Sequence, residues 1–148
     1  MNREAVFEQL KIDEGVVNEI YLDHLGYATF GVGHLVIETD PEYGWEVGTA
    51  IAEDRVRECF DRDLDLAISE CVALYGPDIW EGFPGEVQEI LVNMMFNMGR
   101  TRLSKFKNFN AALIEGDWKT AGVEGRDSLW YRQVTNRAER LMERMDNV

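Results

Sequence analysis

The hydrophobic period changes along this chain, and that change restricts the folds open to it. Residues 16–37 are rich in β-branched and aromatic side chains and carry Gly26, Gly31 and Gly33. Such a stretch predicts a small antiparallel sheet with tight turns. From about Ala52 the period becomes helical. Val56, Phe60, Leu64, Ala67, Ile68, Cys71 and Leu74 make one apolar stripe, and Asp54, Arg55, Arg57, Asp61, Arg62 and Asp65 face outward. Gly76 and Pro77 end this helix. Residues 86–99, EVQEILVNMMFNMG, are apolar around most of their circumference, which predicts a helix at the centre of a domain. Shorter helices are predicted at about 106–114, 117–124, 128–133 and 136–146. An N-terminal helix over 2–11 carries Val6, Phe7 and Leu10 on one face. The expectation is one α+β domain over residues 1–148. A sheet lobe occupies about 12–51, a linking helix about 52–75 and a helical lobe about 76–148, on which the N-terminal helix packs. Two lobes on one helix leave a cleft between them, where ligands bind.

Charge narrows the partners. The chain has 28 acidic and 15 basic residues, for a net charge of −13. Residues 1–50 hold 10 acids and 2 bases, residues 51–100 hold 11 and 4, and residues 101–148 hold 7 and 9. Nucleic acid is not an expected partner, because neutralising phosphates needs a basic face. An anionic partner would meet the last third first. Membrane insertion is not expected either, since no stretch approaches the roughly 20 apolar residues of a span. The N-terminal MNREAVFEQLKIDEG has no apolar signal core. Cys59 and Cys71 fall on one predicted helix, where twelve residues span about 18 Å. A disulfide needs Cα atoms within about 7 Å, so both read as free thiols. His24 and His34 lack metal-ligand spacing, and no metal or cofactor is expected.

Glu14, Asp23 and Thr29 are the residues of this acidic half that could carry acid–base chemistry. In a chain with 28 acids, their spacing alone carries little weight. The surrounding string adds more. IDEG at 12–15 is followed by IYLDHLGYATFGVGHL at 20–35, NMMFNMG at 93–99 and DSLWYRQVTNRAER at 127–140. Taken together and in order, these resemble the phage lysozymes of the T-even type, glycoside hydrolase family 24. The resemblance covers nearly the whole chain.

The resemblance implies a lysozyme-like fold and a muramidase, which cuts the β-1,4 bond between N-acetylmuramic acid and N-acetylglucosamine in peptidoglycan. Glu14 falls on the family's general acid, a role that needs a carboxyl still protonated near working pH. Asp23 falls on the second carboxylate and Thr29 on the hydroxyl beside it. Together they would activate a water on the opposite sugar face. Attack from that face inverts the anomeric centre and implies carboxyl groups roughly 6.5–9.5 Å apart. His34 and Asp63 fall on an ion pair that ties sheet to helix. Arg137 falls on an arginine that reaches towards the general acid. Leu35 and Phe96 match positions that line the saccharide cleft, although core packing would leave the same trace in sequence.

The chain also departs from the family. Its loop over 38–51 is shorter by about ten residues. Leu25 and Leu129 replace an acid and an arginine. Phe109 and Glu124 stand at cleft positions that are small or neutral in relatives. The acidic charge is the largest departure, because such enzymes tend to be basic. The expected biology is that of an endolysin. A monomer accumulates in the host cytoplasm and reaches the wall through a pore made by a separate protein. Other readings are a non-catalytic peptidoglycan-binding module on the same fold and a lysozyme domain carried on a virion.

Overall fold

A computed structural model describes residues 1–148. In chain order it contains α1 (Arg3–Glu14), β1 (Val17–Leu22), β2 (Ala28–Gly31), β3 (His34–Leu35), α2 (Glu53–Tyr75) and α3 (Pro77–Gly82). These are followed by α4 (Gly85–Ser104), α5 (Lys107–Ile114), α6 (Trp118–Arg126), α7 (Leu129–Gln133) and α8 (Thr135–Asp146). The fold is α+β as expected, mostly helical with one small antiparallel sheet. The chain divides into two compact units, Arg3–Leu66 and Ala67–Val148 with Met1–Asn2.

In the unit Arg3–Leu66, the sheet has the order β1-β2-β3. Tyr21 stands opposite Thr29, and Thr29 opposite Leu35. Directly opposed residues share a sheet face, so these three form one row. Phe30 opposite His34 forms a row on the other face, with the two rings 5.0 Å apart. A Cβ at Gly31 would lie 3.1 Å from Val56 Cγ1, so β2 passes close against α2. The segment after β3 is not free. Successive turns link Ile37 to Asp40, Asp40 to Tyr43, Glu42 to Trp45 and Glu46 to Thr49. Its end returns to β1, through Ile20 N–H to the Thr49 carbonyl and Ile51 N–H to that of Asn18.

One boundary differs from the expectation. The first helix continues to Glu14 instead of ending at 11, and the sheet begins at Val17, within the predicted 16–37. Gly15, at φ +78°, supplies the left-handed residue that ends the helix. Residues from Arg3 onward group with the sheet and the first half of α2. Phe7 stacks on Phe60 with ring centres 4.7 Å apart. Arg57 lies 4.1 Å over the Phe7 ring and pairs with Glu4 at 2.8 Å. The amphipathic start of α2 therefore covers a helix that the small sheet could not cover alone.

In the unit Ala67–Val148, α4 carries the core. Val87, Ile90, Leu91, Val92 and Met94 are fully buried. Gly99 breaks its helical path at φ 79° and ψ 168°, which is a kink that only glycine adopts cheaply. Helices α6 and α8 approach closely because Gly125 has no side chain, as a Cβ there would collide with the Met142 sulfur. Trp130 is buried and satisfies its indole N–H on Asn97 Oδ1 at 2.7 Å. Ser128 caps α7 by accepting from Tyr131 N–H. Helix α3 was not foreseen. Its Pro77 looks like a terminator, but proline suits the first helical turn, where no N–H bond is lost.

Candidate active site

Glu14 is the last residue of α1 and is half-buried. The β2–β3 turn lies against it. Gly33 has φ +64°, and a Cβ there would stand 3.6 Å from Glu14 Oε2. A bare backbone therefore borders one side of this carboxylate.

Asp23 follows β1 and organises the turn into β2. Its Oδ1 accepts from the N–H groups of Leu25 and Tyr27, both at 2.9 Å. Its own N–H donates to the Tyr27 carbonyl, and Gly26 N–H donates to the Asp23 carbonyl. The side chain is thus fixed by the self-bonding expected of aspartate in a turn. Both bonds use Oδ1, and Oδ2 has no protein partner. Thr29 lies on the central strand and is 4% exposed. Its hydroxyl donates to the Tyr27 carbonyl at 2.9 Å. One carbonyl therefore holds both the Asp23 backbone and the Thr29 hydroxyl. Because Thr29 gives its proton to that carbonyl, its oxygen can act towards a ligand only as an acceptor. Leu35, beside Thr29 in the same row, is 47% exposed and is not a core residue.

Tyr21 completes that row and was absent from the expected site. A period-two reading of IYLD places it on the same face as Asp23, two residues on. Burial, then the negative charges of Asp23 and Glu14, hold its phenol above its ordinary value.

Behind the sheet, His34 lies between two carboxylates. Its Nδ1 is 2.7 Å from Asp63 Oδ2, and its Nε2 is 2.8 Å from Asp40 Oδ2. Burial opposes its charge, but the bonds to Asp63 and Asp40 outweigh that and raise its pKa. The Asp40 side chain is wholly buried, and its Oδ2 also accepts from Ile37 N–H. Its Oδ1 has no hydrogen-bond partner and lies 3.6 Å from Arg55 and 3.9 Å from Arg62. Burial would raise the Asp40 pKa, yet the Ile37 N–H and His34 hold it below the usual range. Arg55 clasps Glu42 through two bonds of 2.8 Å and reaches Glu58. Asp40 and Glu42, each 4% exposed, anchor the shortened loop from within. Neither figured in the expected site.

In the other unit, Arg137 on α8 is buried and donates to Asn93 Oδ1 at 2.9 Å and to the Asn93 carbonyl at 3.2 Å. Phe96 on α4 is half-buried. Phe109 is a core residue, 1% exposed, rather than an open cleft wall. With Glu124, Lys105, Lys107 and Asp127 it borders a pocket of about 280 Å³. No cluster of side chains has the makings of a metal site.

Residues 11–146 match a family described as phage lysozyme. The chain belongs to the phage lysozyme family. Among curated proteins, it is 30% identical to the pre-baseplate central spike protein Gp5 of Enterobacteria phage T4 over 93% of its length. The match covers 27% of that spike protein. It is 27% identical to a probable T4-type lysozyme of Dictyostelium discoideum, over 91% of this chain and 89% of the relative. It is also 28% identical to the peptidoglycan hydrolase gp36 of Pseudomonas phage phiKMV, over 89% of this chain and 14% of the relative. This phage lysozyme chain thus spans about a quarter or less of two of these relatives and most of the third.

Proposed function

We propose that this chain is a muramidase that hydrolyses the β-1,4 bond between N-acetylmuramic acid and N-acetylglucosamine with inversion. Family membership and the kinship with a phage peptidoglycan hydrolase support the lysozyme-type reaction class. The observation that carries the finer reading is the Tyr27 carbonyl shared by Asp23 and Thr29. That carbonyl accepts from the Asp23 N–H and from the Thr29 hydroxyl, and in this reading Asp23 Oδ2 and Thr29 Oγ1 accept from one water. In the proposed step, Glu14 gives its proton to the glycosidic oxygen as the bond to the anomeric carbon breaks. The water oxygen bonds that carbon and its proton passes to Asp23. Leu35, exposed beside Thr29, is assigned to line the saccharide. His34 and Asp63, with Asp40, hold the sheet under the reacting row. No cofactor enters this scheme.

The biological reading is host lysis by a monomer. It passes from the cytoplasm to the wall through a pore made by another protein. No helix is long and apolar enough to cross a membrane. The test is clearing of chloroform-permeabilised Gram-negative cells across a salt series. At a net charge of −13 the enzyme is repelled by an anionic wall at low ionic strength. Clearing should therefore rise with salt to about 0.15 M or beyond, where the Debye length is about 8 Å. A monotonic fall from low salt would contradict the charge argument. No clearing at any salt would favour a non-catalytic wall-binding module.

A further inference from the structure

We propose that Tyr21 is a further substrate-contacting residue, whose hydroxyl donates a hydrogen bond to an oxygen of the sugar held between Glu14 and Asp23. This rests on the muramidase reading above. Three observations converge on it. Tyr21 pairs directly with Thr29 across the sheet, in the row that continues to the exposed Leu35. It precedes Asp23 by two residues, at the end of the strand that leads into the Asp23 turn. Its ring is half-buried, yet its hydroxyl has no protein partner.

The chemistry of the row explains what that hydroxyl is for. Asp23 Oδ1 is saturated by two N–H groups, and Asp23 Oδ2 can only accept. Thr29 has already given its proton to the Tyr27 carbonyl. The face thus offers acceptors suited to a water, while the oxygens of a sugar also need donors. The Glu14 proton is committed to the leaving oxygen. Tyr21 supplies the remaining O–H on this row. Burial, and then the Asp23 and Glu14 carboxylates, raise the phenol pKa further above its ordinary value near 10, so it stays protonated across the working pH. A lysine or arginine here would instead pair with Asp23 or Glu14 and lower the pKa of the acid. A neutral phenol donates without doing so.

The test compares wild type, Tyr21→Phe and Glu14→Gln on soluble peptidoglycan fragments. It measures kcat/KM from pH 4 to 9 alongside the melting temperature. Tyr21→Phe keeps the ring and removes one neutral hydrogen bond. The expected result is a loss of about three- to tenfold in kcat/KM. Both limbs of the pH profile and the melting temperature should stay in place. Wild-type kcat/KM in Tyr21→Phe would overturn the inference. So would a loss that accompanies a shifted limb, since Tyr21 would then act through the carboxylates. A loss that merely follows the folded fraction would overturn it as well. An inactive Glu14→Gln beside a fully active Tyr21→Phe removes this inference alone. A fully active Glu14→Gln removes the muramidase reading and this inference with it.

Discussion

Glu14→Gln is expected to clear permeabilised cells about 10²–10⁴ times more slowly than wild type, the usual range for losing a positioned general acid. Glutamine matches the shape of the side chain and its fit against Gly33, but has no proton to give the leaving oxygen. A melting temperature measured on the same sample separates lost chemistry from lost folding. Clearing within threefold of wild type would remove Glu14 from the mechanism.

The second large effect concerns stability and its pH dependence. The His34 pKa is raised, so its contribution is complete below the unfolded value near 6.5 and fades as pH climbs through the folded value. The Asp40 pKa is lowered, so its contribution is complete above the unfolded value near 3.9 and fades as pH falls through the folded value. Both are fully present only between about pH 4 and 6.5. Asp40→Asn should therefore cost about 3 kcal/mol near pH 5, because a fully buried partner of a charged group is lost. For a domain of this size that lowers the melting temperature by roughly 6–12 °C. Asp63 is 30% exposed, and solvent screening makes Asp63→Asn the milder change, about 1 kcal/mol. Above pH 8 both differences should shrink. Thermal melts at pH 5 and pH 8.5 decide the matter. Equal losses at the two pH values would show that the charge of His34 does not couple to folding.

Local signals explain which parts of this molecule could be read in advance. The stripe from Val56 to Leu74 foretold α2 almost to the residue, because one amphipathic face repeats over six turns. The three glycines and the β-branched and aromatic residues of 16–37 foretold a small antiparallel sheet, which has three strands. Helix α3 was hidden because six residues show no period and its first residue is proline. The contact of Phe7 with Phe60 was not legible, since nothing local in the first helix indicates its partner on α2. His34 and Asp63 could be paired through the family motif. Asp40 and Glu42 could not. In ETDPEYG they look like solvated loop acids, and their burial depends on partners outside that loop, His34 on β3 and Arg55 on α2. Tyr21 carries no motif of its own, and only strand alternation aligns it with Asp23.

The two thiols open a view of the molecule's motions. Cys59 and Cys71 lie on the same helix, yet Cys59 belongs to the unit Arg3–Leu66 and Cys71 to the unit Ala67–Val148. Both are buried, and burial pushes their pKa values up to about 11 and about 12. Neither can react as folded at neutral pH, for lack of both access and thiolate. Each is therefore a built-in clock for one half of the chain. The rate at which a small thiol reagent modifies Cys59 reports how often the sheet unit opens, and the rate at Cys71 does so for the helical unit. With one thiol in each unit, mass spectrometry of a single untagged sample would show whether the halves breathe together or apart.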